Sequence, residues 1–513
     1  MTPDAKAESA PRRHLRNLAA FTSGASLQFV SPPHNLAWLH WFAFVPLLVV
    51  LVPENRRRNF RLGYLCGFSG VFFLFFWLAV TIDTFSNIPL VLAAGIVALF
   101  AAVWGLPYGL LTMAVHPLRR RFGVGWVAVF PAVWVAVEFL QPALFPYYQG
   151  VGQYRVLAVF QLASVFGAYG VTYLLLLVNS AIAEVLMSRG SRASLAMLGL
   201  VAAVFGGNLA FGSWRIQQVE TTLAVAPTIR VSLIQQHVTM VTRLQERGNA
   251  VLKSWVDLTR QVEDEAPDLV IWPEGSVYYN PDEGKVKELF AQMATEGKYN
   301  FLLGGGTQKK DKDTGKRRAW NSAYLFDRTG EITGRYDKMV PLPFGEYLPW
   351  PVSYLKNYIE GVGNFQAGET ATVFQADNVR FTTPICYEAI LESQMRTLMD
   401  TDLFINITND AWFGDTAAPH QHAMLSAVHA VEFGRPMLRI AYTGISMVVE
   451  PHGAILHETK PYTDVATVVP IRLGKFETPY RTWGRGFPYA CALAAALALL
   501  AVRRRVTPAP DAA

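Results

Sequence analysis

A chain of 513 residues with 52% hydrophobic, 13% aromatic and only 16% charged side chains departs from the roughly 25% charged content of soluble proteins, which excludes an ordinary soluble enzyme and points to a membrane protein. The formal net charge of +6 is unevenly spread: most Asp and Glu fall between about residues 219 and 477, whereas the first 218 residues are apolar runs separated by short basic clusters. Three cysteines, at 66, 386 and 491, are too few and too scattered for a disulfide framework or a metal site, and Cys66 and Cys491 lie in apolar runs as packing residues.

A bilayer asks for about 20 apolar residues per spanning helix. Seven runs precede the acidic block, roughly 17–31, 36–53, 62–82, 89–116, 124–145, 157–187 and 194–213, and an eighth follows at 486–502. With a cytoplasmic N-terminus, the cytoplasmic segments carry Arg12, Arg13 and Arg16, then Arg56–Arg58 and Arg61, then Arg119–Arg121, then Arg189 and Arg192, and finally Arg503–Arg505. The opposite loops carry only Arg155 and Arg215. This positive-inside asymmetry predicts that the first run crosses, that residues 214–485 lie outside, and that both termini are cytoplasmic. For a bacterial inner membrane the outside is the periplasm. Ionisable residues in the spans are few, Glu138 with His40, Asp83 and Glu184 near the ends, so the bundle is poorly equipped as a pump or transporter.

The acidic block alternates β-rich runs with helical spacing. Strands are predicted at 229–234, 268–272, 300–304, 320–326, 379–385, 402–407, 437–441, 446–450 and 465–471, and helices at 246–264, 283–297 and 420–434. Such alternation implies an α/β domain, in which chemistry gathers at the carboxyl ends of strands.

Three strand ends carry chemistry. Trp272-Pro-Glu274 sets a carboxylate where a strand breaks at a proline, a fixed place for a general base. Lys338 and Glu346 are embedded among Pro341, Pro343, Gly345 and Pro349. Cys386 closes an apolar strand directly before Tyr387 and Glu388. Taken singly, each residue has an ordinary structural explanation: a loop carboxylate, a solvated lysine, a buried thiol. Together a nucleophile, a base and a cationic stabiliser make up an acyl-transfer set. A Cys–His pair using His420, His422 or His429 is the rival, and it leaves Glu274 and Lys338 without a role.

Trp272-Pro-Glu274, Lys338-x-x-x-Pro341-x-x-Phe-Gly-Glu346-Tyr-x-Pro349, Cys386-Tyr-Glu388 and Asn409-Asp410-Ala-Trp412-Phe413-Gly414 resemble the motifs of the apolipoprotein N-acyltransferases, membrane-integrated members of the nitrilase superfamily. The resemblance implies an α-helical transmembrane bundle of eight spans plus a nitrilase-like α-β-β-α sandwich: a seven-span membrane domain over 1–216, a periplasmic catalytic domain over 217–478, and an eighth helix with a cytoplasmic tail over 479–513. It implies acyl transfer from a phospholipid, usually phosphatidylethanolamine, to the amino group of the diacylglyceryl-cysteine of an apolipoprotein. Cys386 would be the nucleophile, Glu274 the general base and Lys338 the stabiliser of the intermediate, with Glu346, Tyr387 and Glu388 in support. No cofactor, metal or nucleic acid is implied, and the enzyme is expected to be a monomer.

The aromatic-rich stretch 347–365 reads either as an arm dipping into the membrane interface or as a packed surface loop. The chain departs from the family pattern at His237 and Leu244 after the first strand, at Gln141 beyond Glu138, and at His429, Tyr442 and Arg485. Two other functions keep a place beside transfer: a membrane-tethered amidase or hydrolase with the same Glu-Lys-Cys set, and a channel or transporter bearing a degenerate domain.

Overall fold

The computed structural model describes residues 9–86, 88–237, 249–277, 280–310, 315, 317–350, 354 and 363–503. The chain divides into two compact units, one of Met1–Val80, Ile88–Trp214 and Thr482–Ala513, the other of Thr81–Asn87 and Arg215–Arg481.

The first unit is helical. Among the described residues, four helical stretches are long and apolar enough to cross a membrane: Leu90–Leu140, Ala168–Met187, Arg192–Leu223 and Gly486–Arg503. A fifth results if Arg56–Leu74 and Trp77–Thr84, which meet at 47°, form one broken span. Eight separate spans therefore do not follow from helix length, because Ala37–Val50 and Leu157–Phe166 are short and Ala10–Ala25 carries Arg12, Arg13 and Arg16. The Leu90–Leu140 stretch is interrupted at Gly105 and at Gly123–Gly125. Small residues let these helices touch: a Cβ on Gly67 would lie 2.7 Å from the Gly105 carbonyl oxygen, the close approach that membrane helices use. Cys66 is fully buried, and Cys491 packs with Ala132, Val135 and Tyr169.

Several buried polar groups in this unit pair with one another. Glu138 accepts from Trp134 Nε1 at 3.2 Å and from the Gln149 main-chain N–H at 3.1 Å, and the Gln149 amide reaches His40 Nε2 at 2.9 Å and Tyr108 Oη at 3.1 Å. Glu184 takes a two-pronged contact from Arg119, at 2.6 and 3.0 Å, and a third from Trp126 Nε1 at 2.7 Å. Pairing of this kind is what a low-dielectric interior demands of a carboxylate.

The second unit holds two six-stranded sheets. The first comprises β1 (Thr228–Gln235), β2 (Leu269–Ile271), β3 (Asn300–Lys310), β4 (Arg317–Phe326), β5 (Ile332–Asp337) and β12 (Val465–Arg472), in the order β12-β1-β2-β3-β4-β5. The second comprises β6 (Val373–Ala376), β7 (Val379–Thr382), β8 (Leu403–Asn409), β9 (Met437–Tyr442), β10 (Met447–Val449) and β11 (Ile455–Glu458), in the order β11-β10-β9-β8-β7-β6. The pairings repeat. β1, β2 and β3 run parallel and β4 and β5 return antiparallel, just as β7, β8 and β9 run parallel before β10 and β11 return.

Helices cover the sheets. On the first, helix Asn249–Arg260 buries Val251, Trp255 and Leu258, and helix Gly284–Gly297 buries Phe290 and Met293, against Trp272, Phe301 and Phe326. Trp272 and Phe301 meet edge to face at 4.9 Å, a geometry aromatic quadrupoles favour. On the second, helix Ala418–Phe433 is buried along nearly its whole length. All nine predicted strands are present. The three that prediction missed, β5, β6 and β11, are edge strands with interrupted burial, so no continuous apolar run marks them.

Candidate active site

The carboxyl ends of the strands bring the sequence motifs together. Glu274 follows β2 after Pro273, and its turn lies so close to β3 that a Cβ on Gly304 would come within 2.5 Å of the Pro273 carbonyl oxygen. The carboxylate is 8% exposed and accepts from Asn321 Nδ2 at 2.6 Å and from the Asn409 main-chain N–H at 2.8 Å.

Lys338 leaves β5 with its main-chain N–H bonded to the Asn321 carbonyl oxygen at 2.8 Å, and its side chain is buried. Its ammonium lies 2.7 Å from Glu346 Oε2 and 3.6 Å from Glu274 Oε1. Burial alone would strip the proton from such an amine, but the two carboxylates, Glu346 foremost, outweigh it and hold Lys338 above the ordinary lysine range. Lys338 is therefore a fixed cation and not a base. Glu346 is held below the usual carboxylate range, the Lys338 charge overcoming the cost of its burial. Its other oxygen accepts from Asn321 Nδ2 at 2.8 Å, so one amide group bridges both carboxylates.

Cys386 opens a short 3₁₀ turn, Cys386–Ile390, beyond β7, and its φ of 53° places a non-glycine residue in the left-handed region. Such strain costs on the order of 1–3 kcal/mol and persists where the surroundings fix it. Glu388 fixes it. One of its oxygens accepts the Ile385 N–H at 2.7 Å, and the other accepts from Tyr336 Oη at 2.9 Å and from the Met339 and Val340 N–H groups at 2.7 and 3.0 Å. Glu388 thus ties the lysine loop to the cysteine turn. Burial pushes its carboxyl up to about 7 against the pull of those donors.

Burial also pushes the Cys386 thiol up to about 12; the Glu274 charge adds to the rise and Lys338 opposes it. The resting group is a thiol, with Thr408 in hydrogen-bond contact with it. Tyr387 is buried beside it, its phenol raised to about 12 by that burial, against which the Lys338 charge works.

Beneath the cysteine lies a charged cluster. His422 Nε2 is 3.3 Å from the Cys386 carbonyl oxygen and its Nδ1 is 2.9 Å from Asp410 Oδ1. Arg439, with no exposed surface, donates to Asp410 at 2.6 Å and to Asn406 at 2.7 Å. Asp410 is held down to about 2: burial works the other way, and Arg439 and then His422 outweigh it. His422 therefore faces the main chain of Cys386, whereas His429 pairs with Glu432 at 2.7 Å.

Asn321, Thr408 and Arg439 were missed at the level of sequence. The signal for the last two was present: β8 and β9 are buried at every residue yet carry Asn406, Thr408 and Asn409, and Arg439, respectively, and polar side chains in a strand buried throughout need partners. Of the departures, His237 is exposed with its N–H on Asp464 at 2.5 Å, Tyr442 is buried against Trp255 at 5.4 Å, and Leu244 lies outside the described residues. So do residues 351–353 and 355–362 of the aromatic stretch 347–365, while Trp350 and Tyr354 are exposed. Elsewhere, Glu220, Glu450 and His452 bring metal-type ligand atoms together, but Arg472 already engages both carboxylates, at 3.0 Å and 2.6 Å.

A two-sheet α/β unit with Glu, Lys and Cys converging at strand ends defines a carbon–nitrogen hydrolase, and the family model described as carbon-nitrogen hydrolase matches residues 230–476. A second model, the apolipoprotein N-acyltransferase N-terminal domain, matches residues 23–181. The apolipoprotein N-acyltransferase of Geobacter metallireducens is 29% identical over 97% of both chains, and that of Allorhizobium ampelinum is 30% identical over 86% of this chain and 87% of its own. The chain belongs to the apolipoprotein N-acyltransferase family. Among solved structures, an amidase from Nesterenkonia sp. is 18% identical, with a TM-score of 0.38 over 51% of this chain and 95% of its own.

Proposed function

We propose that this membrane enzyme transfers a fatty acyl chain from a phospholipid, through a thioester on Cys386, to the N-terminal amino group of a diacylglyceryl-cysteine apolipoprotein. The observation that carries this over simple hydrolysis is the family match in the helical unit, residues 23–181, in addition to that in the catalytic unit. Hydrolysis needs no such unit, whereas donor and acceptor that are both lipid-anchored need a site served from the membrane.

In the first half-reaction Glu274 takes the proton from Cys386 Sγ as the sulfur adds to the ester carbonyl. A thiol held near 12 makes this transfer concerted with attack, since little thiolate exists beforehand. The oxyanion forms beside the Lys338 ammonium, which the Glu346 carboxylate orients. As the intermediate collapses, the glycerol oxygen leaves with the proton from Glu274, giving a lysophospholipid and the thioester. In the second half, the acceptor amine adds to the thioester, Glu274 takes the amine proton, and the sulfur departs and is reprotonated as the amide forms.

Phosphatidylethanolamine is the proposed donor, and the enzyme is proposed to act as a monomer at a bacterial inner membrane. The arginine pattern supports cytoplasmic termini and a periplasmic catalytic unit, with domain limits near 216 and 478. Eight crossings are obtained if 10–30, Ala37–Val50 and the bent pair each cross, Leu90–Leu140 crosses twice, 157–187 enters and crosses once, and Arg192–Leu223 and Gly486–Arg503 cross once each.

Mass spectrometry of the purified protein incubated with phosphatidylethanolamine tests the scheme. An acyl adduct on Cys386, discharged by a diacylglyceryl lipopeptide to an N-acylated product, is the expected result. Discharge to free fatty acid at the same rate with or without lipopeptide would overturn transfer, and product from Cys386→Ala would overturn the nucleophile.

A further inference from the structure

The arginine-rich edge of the helical unit holds a cavity of about 360 Å³ that the acyl-transfer chemistry does not use. It opens where Glu54 and Asn55 lead into helix Arg56–Leu74 and where helix Leu106–Phe122 ends. Glu54, Arg56, Arg57, Asn59, His116 and Arg120 form its polar lining. Three guanidinium groups face one carboxylate, and the positive end of the Arg56–Leu74 helix dipole adds to them.

The pairings already made there define what is left for a ligand. Arg120 is paired with Glu54 at 2.9 Å, and neighbouring Arg119 is committed to Glu184. The guanidinium groups of Arg56 and Arg57 make no hydrogen bond or ion pair with any described residue. At the back, Asn59 is buried and its amide is locked to the Val52 main chain, at 2.7 and 2.9 Å, so the wall is rigid. His116, only 7% exposed, lines the same cavity with its Nε2 buried and without a hydrogen-bond partner. An orphan ring nitrogen in the wall of a cationic cavity is a place for a polar ligand atom. Met113 and Pro117 complete the lining with apolar surface.

We propose that this cavity seats the phosphate headgroup of an anionic phospholipid that is bound and not consumed. Arg56 and Arg57 take the phosphate oxygens, His116 Nε2 takes a headgroup hydroxyl, and the glycerol lies against Met113 and Pro117. A zwitterionic headgroup fits less well, because its ammonium meets three guanidinium groups. A free phosphate ion would share the charge contacts and leave the apolar wall empty. The inference takes the flanking helices as membrane-spanning, where basic pockets at helix ends recognise anionic lipids.

Native mass spectrometry of the full-length protein in detergent, with dioleoylphosphatidylglycerol, dioleoylphosphatidylethanolamine or inorganic phosphate added in turn, tests this. The phosphatidylglycerol adduct should be the tighter of the two lipids. R56Q/R57Q should weaken it roughly tenfold or more, from a contribution of about 1 kcal/mol per basic residue, while acyl transfer by the same sample stays at the wild-type rate and reports a folded protein. E54Q removes the one opposing charge and should strengthen the adduct several-fold. Equal retention of the two lipids, phosphate binding without a lipid adduct, wild-type retention by R56Q/R57Q, or no gain from E54Q would each overturn the site. The readout is bound lipid mass, so it stands or falls separately from the acyl-transfer scheme.

Discussion

His422 directs Nε2 at the main-chain oxygen of Cys386, 3.3 Å away, and not at its sulfur. The ring sits between that carbonyl and the Asp410 carboxylate, and burial, followed by the Arg439 charge, lowers it below the usual histidine range. It is a positioning residue for the strained cysteine. His422→Ala should lower the rate of Cys386 acylation by about one to two orders of magnitude with KM little changed, from loss of contacts of about 1–3 kcal/mol. If His422 were the base, acylation would fall to background. Single-turnover acylation followed by intact-protein mass separates the two outcomes.

Asn321 donates one amide group to both Glu274 and Glu346, at 2.6 and 2.8 Å. Asn321→Ala leaves two largely buried carboxylates short of a donor around a single ammonium. The expected loss is about ten- to a hundredfold in kcat, from two charge-assisted hydrogen bonds of about 1.5–3 kcal/mol each that are only partly replaced by water. Asn321→Asp should be worse, because it adds a third carboxylate. Steady-state kinetics with a lipopeptide acceptor checks the order.

Glu388 gives a pH signature of stability. Its folded-state value of about 7 lies above the ordinary value of 4.5, so the folded state binds the proton more tightly than the unfolded chain. The contribution is fully present below about 4.5 and is lost as pH rises through 7, roughly 3 kcal/mol over the window. Thermal melts of the detergent-solubilised enzyme should show a decline between pH 4.5 and 7 that is shallower in Glu388→Gln. A parallel decline in both proteins would remove Glu388 as its source.

Arg439 and Asp410 form a buried pair at 2.6 Å, neither side chain exposed. Arg439→Met strands the Asp410 charge and should destabilise the protein by about 3–5 kcal/mol. Adding Asp410→Asn to it should recover a good part of that loss, although the amide is no longer an ideal partner for His422. Melting temperatures of the two single variants and the double variant measure the coupling.

Much of this was legible in the chain, for identifiable reasons. Apolar strands such as β1, β3 and β8 are buried for several residues running, and such runs mark themselves. Glu274, Lys338 and Cys386 sit beside prolines or at strand ends where local sequence flags them. Asn321 does not, because it lies within β4 and its role depends on partners 47 and 25 residues away. The helical unit is legible in composition but not in count, since breaks such as Gly105 and the 47° bend between Arg56–Leu74 and Trp77–Thr84 blur where one span ends.

The repeated order of pairings in the two sheets divides the chemistry between them. Glu274 and Lys338 emerge from β2 and β5 of the first sheet, and Cys386 from β7 of the second. Neither half of the unit holds a working set. Under the proposed scheme, selection on acyl transfer acts on the alignment of two scaffolds, and a drift in either one would appear as the same loss of the proton transfer proposed between Glu274 and Cys386.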